Sequence, residues 1–121
     1  MATHNQTGRK GEDIAEAYLK EKGYVIIERN WYSSHKELDI IAENNGWLVI
    51  VEVKTRSGDM LALPEDAVNK KKIRRTINAA HHYIRMHDIN IPVRFDVISI
   101  VFKNGNPEIE HFEDAFLAMN A

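Results

Sequence analysis

Leu38-Asp39-Ile40-Ile41-Ala42-Glu43-Asn44-Asn45-Gly46-Trp47-Leu48-Val49-Ile50-Val51-Glu52-Val53-Lys54 is the stretch on which the fold turns. Two apolar runs, Leu38 to Ala42 and Trp47 to Val53, flank Glu43-Asn44-Asn45-Gly46. Asn-Gly between such runs is the strongest short-range hairpin signal, because both central residues of the favoured turn need positive φ. With Asn45 and Gly46 as the loop, Asn44 pairs with Trp47. The same register, carried along both strands, sets Asp39 opposite Glu52 and Glu37 opposite Lys54. Side-chain alternation then puts all four on one face. Leu48 to Val51 is uninterrupted apolar sequence, as in a central strand covered on both sides, so charges at its end lie in a cleft.

Working outward, Ile14, Ala15, Tyr18 and Leu19 fall at helical spacing and predict a first helix over 8–22, with Thr7 as N-cap and Gly23 as stop. Tyr24 to Glu28 reads as a short strand. After the hairpin, Ser57 to Pro64 reads as a loop. A long helix is expected from Glu65 or Asn69 to His87, with Ile73, Ile77, Ala80 and Ile84 on its buried stripe. Val93 to Phe102 is a strand ending at a second Asn-Gly pair, Asn104-Gly105. A minor strand near Ile109 and a short helix over 114–119 complete the chain. The order helix, three strands, helix, strand predicts an α/β domain with a mixed β-sheet flanked by helices, and no repeat or linker divides residues 1–121.

Composition sets the outer limits. The chain has 121 residues, 44% of them hydrophobic and 28% charged, enough for one core. No apolar run reaches the roughly 20 residues of a membrane span, and the first ten residues lack a secretory apolar stretch. The sequence contains no cysteine, so disulfides and thiolate zinc sites are excluded. A cytoplasmic location is the expectation. The net charge of −2 argues against coating nucleic acid by bulk electrostatics. Charge is uneven, however: Lys70 to Arg75 reads KKKIRR, whereas Glu108 to Asp114 is acidic.

The chemistry sits in the hairpin. Glu37 with Lys54 is an ordinary cross-strand ion pair. Asp39 opposite Glu52 is not, since two facing carboxylates repel. A divalent cation reverses that interaction, and two carboxylates, a backbone carbonyl and waters suit Mg²⁺ or Mn²⁺. Lys54, two residues beyond Glu52 on the same face, is placed to hold a water or a phosphate oxygen and to offset developing charge.

These residues carry a resemblance. Asp39 followed by Glu52-x-Lys54 on the partner strand resembles the PD-(D/E)xK nuclease superfamily, with its restriction-endonuclease-like core. Further landmarks are Gly8-x-x-Gly11-Glu12, Gly23-Tyr24, Asn30-Trp31, Glu37-Leu38-Asp39, Val51-Glu52-Val53-Lys54-Thr55-Arg56, Ala67-Val68, Lys72 with Arg75, and Arg94-Phe95-Asp96-Val97. In that order they are similar to the YraN-like family of small bacterial proteins, related to archaeal Holliday junction resolvases. The resemblance implies metal-binding roles for Asp39, Glu52 and the helix-one acid Glu12, with Lys54 as the catalytic lysine. It also implies DNA, including branched DNA, as substrate, and a homodimer by analogy with two-fold junctions. The chain departs from the pattern at Lys36, where relatives carry Gly, and at 58–63 (GDMLAL), where they carry Phe-Gly.

The remaining candidates are weighed on their own residues. Glu12 shares a stripe with Ala15 and Leu19, and a first-turn acid is ordinarily explained by the helix dipole. Five like charges within KKKIRR cost helix stability, and a polyanion would relieve that cost. Lys71, Lys72, Arg75 and Arg56 are therefore the expected phosphate contacts, which supply affinity without sequence readout. His81, His82 and His87 lack the i, i+4 spacing of a helical zinc site. Gly8-x-x-Gly11 lacks the strand of a phosphate loop and reads as local flexibility. Arg94 and Asp96 suit a structural network next to the site better than catalysis, and Trp31 and Tyr32 suit partial burial better than base stacking. Two functions follow: a Mg²⁺- or Mn²⁺-dependent endonuclease, or a non-catalytic nucleic-acid-binding module that keeps the nuclease fold.

Overall fold

The computed structural model describes residues 4–34, 37–57 and 70–116, with side chains in the first helix from Lys10 onward. Helix α1 spans His4–Glu21, so Thr7 lies within it and does not cap it. Its end is as expected. Gly23 takes φ 94°, its amide bonds to the Lys20 carbonyl at 3.0 Å, and the Tyr24 amide bonds to that of Leu19 at 2.9 Å. This is a Schellman stop, which turns the chain directly into a strand.

Strand β1 (Val25–Tyr32) pairs antiparallel with β2 (Glu37–Asn44), and β2 pairs antiparallel with β3 (Trp47–Ser57). Asn45 and Gly46 carry φ 52° and 82°, and Asn44 pairs with Trp47, so the hairpin turn and its register are those expected. Helix α2 (Lys70–Met86) makes the crossover that a parallel pair needs. Strand β4 (Val93–Lys103) lies parallel to β3 from Leu48↔Val93 to Ser57↔Phe102. A second Asn-Gly turn, Asn104 and Gly105 at φ 52° and 80°, leads into β5 (Asn106–Phe112), longer than the minor strand expected. The sheet order β1-β2-β3-β4-β5 gives a mixed sheet with β3 at its centre, in line with the restriction-endonuclease-like arrangement. Ser57, expected to open a loop, instead ends β3, while 58–64 of that loop and most of the terminal helix lie outside the described residues.

Apolar clusters cover both faces. Ala15, Leu19 and Tyr24 pack with Ile40, Ala42, Val49, Val51, Ile98 and Ile100 on the α1 side. Ala79, Ala80 and Tyr83 pack with Leu38, Ile41, Leu48 and Ile50 on the α2 side, with Trp31 edge-on to Tyr83. His82 packs edge-on to Trp31 and His87 stacks on Tyr83, so both serve packing. Met86, His81 and Tyr32 are exposed.

Gly11 has a packing reason where the sequence suggested only flexibility. A Cβ there would overlap Thr55 Oγ1 and lie 3.1 Å from Thr55 Cβ, so α1 crosses β3 closely here. In an open helix, Gly→Ala gains about 0.8–1.0 kcal/mol. Overpacking here costs about 1–3 kcal/mol, so Gly11→Ala is expected to lower the urea midpoint. Adding Thr55→Ala should recover most of the loss. An unchanged midpoint in the single variant would show that the crossing yields freely.

Candidate functional site

Side chains alternate along β3, so Val51 and Val53 face α1 while Glu52, Lys54 and Arg56 face the α2 side. Glu52 is buried, 6% exposed, and its Oε1 lies 2.8 Å from Lys72 Nζ of α2. Lys54 is half-buried beside them. Burial pushes its pKa down first, Arg56 and Lys72 push it further, and Glu52 opposes them. Glu52 and Lys72 are in contact, and alternation along β3 puts Lys54 and Arg56 on the same face as Glu52.

Asp39 joins by a route that strict alternation does not predict. Leu38 belongs to the α2-side cluster and Ile40 to the α1-side cluster, so alternation along β2 breaks at Asp39. The β2–β3 ladder runs from Asn44↔Trp47 to Ile40↔Val51. Beyond that last rung, Asp39 Oδ2 accepts the Val53 amide at 2.9 Å, which sets the carboxylate against the backbone next to Glu52. The expected four-residue single face is thus corrected. The Asp39 carboxylate reaches β3 by accepting from the Val53 main-chain amide.

Glu12 does not join this cluster. Its Oε1 lies 3.3 Å from Arg29 Nη2, and the same guanidinium holds Asp13 at 2.7 Å and Glu16 at 3.1 Å. Among the described residues, no group of three His, Asp or Glu is arranged to hold a metal. Arg29 on β1 thus engages Glu12, the helix-one acid of the set that the resemblance implies. The signal that could have suggested a cation partner is the acidic stripe of Glu12, Asp13 and Glu16, although nothing local names Arg29. Lys71 and Arg75 are exposed on α2, as a phosphate-facing role requires, whereas Lys72 turns inward to Glu52.

A second polar network lies on the opposite face. Asp96 is 0% exposed and receives Arg94 Nε and Nη2, both at 2.9 Å, and the Asp114 amide at 3.0 Å. His111 Nε2 lies 2.7 Å from Asp96 Oδ2, so Nε2 carries the proton and donates. The other ring nitrogen is 3.3 Å from the Tyr18 hydroxyl, and Arg94 also donates to the Tyr24 hydroxyl at 2.8 Å. Arg94 and Asp96 were expected to form a structural network. Tyr18, Tyr24 and His111 were not foreseen in it, since only β4–β5 pairing, Ile98↔His111, brings the histidine alongside.

Fold and site define the class first: a small mixed α/β domain whose central strand ends in an acid–lysine cluster completed by a neighbouring strand and helix. Comparison with known proteins then supplies the family. The family described as "Uncharacterised protein family UPF0102" matches residues 11–100, a span that holds Asp39, Glu52, Lys54, Lys72 and Asp96. A UPF0102 protein of Bacteroides thetaiotaomicron is 52% identical over 116 residues, 96% of each chain. One from Bacteroides fragilis is 55% identical over 116 residues, again 96% of each. One from Flavobacterium psychrophilum is 44% identical over 116 residues, 96% of this chain and 98% of the relative. The chain belongs to the UPF0102 family, the YraN-like proteins that the sequence resembles. No helix among the described residues is long and apolar enough to cross a membrane.

Proposed function

We propose that this protein is a Mg²⁺- or Mn²⁺-dependent endonuclease that hydrolyses phosphodiester bonds in DNA, branched DNA included. The observation that carries the reading is the buried carboxylate of Glu52, already paired with a cation, with Asp39 held against the adjoining backbone and Lys54 two residues on. The ammonium of Lys72, 2.8 Å from Glu52 Oε1, supports this reading, since the carboxylate already faces positive charge. Two carboxylates and a β3 carbonyl fit Mg²⁺, which keeps several of its waters and needs few protein oxygens. When bound, the ion would supply Lewis-acid activation of the phosphoryl group and of a water.

The chain's own residues do the rest. Lys54 donates hydrogen bonds to a phosphate oxygen and offsets negative charge as it grows in the transition state, in a half-buried setting where such interactions are stronger than in bulk water. Arg56 has a buried Nε that meets no acceptor among the described residues, a donor that a phosphate oxygen would satisfy. Lys71 and Arg75 extend the cationic surface along α2. The first turn of that helix contains no acid, so cations crowd its positive end, and a polyanion relieves this. Glu12 serves Arg29 in this reading, and a homodimer would let two such sites meet a two-fold substrate.

The test is incubation of the purified chain with junction, flap and plasmid DNA in Mn²⁺. Cleavage that disappears on chelation and in Glu52→Ala is the expected result. No cleavage of any substrate, or cleavage undiminished in Glu52→Ala, would overturn the enzyme reading. The exposed Lys71 and Arg75 on α2 favour one alternative, a nucleic-acid-binding module without catalysis. In that case Lys71→Glu with Arg75→Glu would abolish binding, and the acids would be dispensable.

A further inference from the structure

Lys72 belongs to the KKKIRR run, yet it occupies a different position from its neighbours. It lies on the inner stripe of α2 that continues through the buried Thr76, Ala80 and Tyr83. Its Nζ meets a carboxylate whose side chain is 7% exposed, while Lys70 and Lys71 on the same turn are exposed. Drawing an ammonium that is 29% exposed and a carboxylate that is 7% exposed together out of water is costly. An ammonium at the start of a helix is also unfavourable with respect to the dipole. The pair therefore binds its members less firmly than the distance suggests, and it occupies the oxygen that a divalent ion needs.

We infer that Lys72 is a displaceable counter-ion. It neutralises Glu52 in the metal-free protein, competes with the divalent cation for that carboxylate, and is released when the cation binds. This rests on the reading of Asp39 and Glu52 as metal ligands. Displacement sets the apparent metal affinity, because only the fraction of molecules with Glu52 unoccupied is competent to bind. It also links metal to substrate. The freed ammonium has three donors, and the acceptor it meets at this surface is a phosphate oxygen of a polyanion. By linkage, a polyanion that takes up Lys72 raises metal affinity, and metal raises polyanion affinity by the same factor.

The experiment is calorimetric titration of Mn²⁺ into the full chain, without turnover. Lys72→Met is expected to bind Mn²⁺ about tenfold more tightly than wild type. Lys70→Met removes the same charge from an exposed position of the same turn and should bind as wild type does. Lys72→Arg keeps the cation and should bind no more tightly than wild type. A short DNA duplex should strengthen Mn²⁺ binding in the wild type and do so less in Lys72→Met. In metal-free melts, Lys72→Met should lower Tm, and Lys72→Met with Glu52→Gln should restore it. Lys72→Gln carries the same comparison if Lys72→Met does not fold. Equal affinity of Lys72→Met and wild type, or an equal gain in Lys70→Met, overturns the counter-ion role and leaves the metal site standing. No Mn²⁺ binding by the wild type or any variant overturns both.

Discussion

Asp39→Asn is expected to abolish Mn²⁺ binding and to slow metal-dependent cleavage by about 10²–10³-fold while leaving the fold intact. Asparagine is the informative choice because Asp39 has two tasks. Its Oδ2 accepts the Val53 amide at 2.9 Å, and an asparagine Oδ1 can still accept that proton. Exchanging a charged acceptor for a neutral one lowers the bond from about 1.5–3 to about 0.5–1.5 kcal/mol, a small loss of stability. Alanine would leave the Val53 amide short of its acceptor at about 1–3 kcal/mol, so lost activity there would be ambiguous. Glu12→Gln provides the contrast, and is expected to bind Mn²⁺ nearly as wild type because Glu12 sits against Arg29. Calorimetry and single-turnover cleavage measure both variants. Mn²⁺ affinity retained in Asp39→Asn would remove the carboxylate from the site, and an equal loss in Glu12→Gln would put Glu12 back into it.

The largest effect on stability is expected at Asp96. Removing one member of a buried charge network leaves the others without compensation, and Asp96→Ala should cost about 3–5 kcal/mol in urea unfolding. Arg94, His111 and the Asp114 amide all lose their shared acceptor, so β4, β5 and the turn after β5 loosen together. The network also has a pH signature. Burial raises the Asp96 pKa, but hydrogen bonds from His111, Arg94 and the Asp114 amide outweigh it and hold the carboxyl below its ordinary value. A carboxyl depressed on folding stabilises the protein above its unfolded pKa of about 3.9, and that stability is lost as pH falls through the lower folded value. Wild type should therefore weaken steeply below about pH 4, and Asp96→Asn should show a shallower acid limb. Identical acid limbs would assign the pH dependence to other carboxylates.

Hairpins were the most legible part of the chain. Asn45-Gly46 and Asn104-Gly105 specify their turns through residues that tolerate positive φ, and each fixes a register from two or three positions. The Gly23 stop was legible for the same reason. The basic run also contained a signal that periodicity alone can reveal. Lys72 is four residues before the buried Thr76, so it falls on the inner side of the helix, away from exposed Lys71 and Arg75. Glu12, Asp13 and Glu16 likewise announced a cation, though nothing local named Arg29.

By itself, then, the sequence determined the order of elements, both tight turns, the central place of β3 and the residue types available for chemistry at its end. All of these depend on dihedral preference and on apolar patterning within short windows. Tertiary structure decided which charges meet. The break in alternation at Asp39 turned its carboxylate to the β3 backbone, the crossover of α2 brought Lys72 to Glu52, and the packing of α1 on β1 gave Glu12 to Arg29. Parallel pairing of β3 with β4 set Asp96 beside Val51 but on the opposite face from Glu52. Such contacts join residues distant in the chain, and their selection follows from how whole faces pack and which buried charges must be neutralised there.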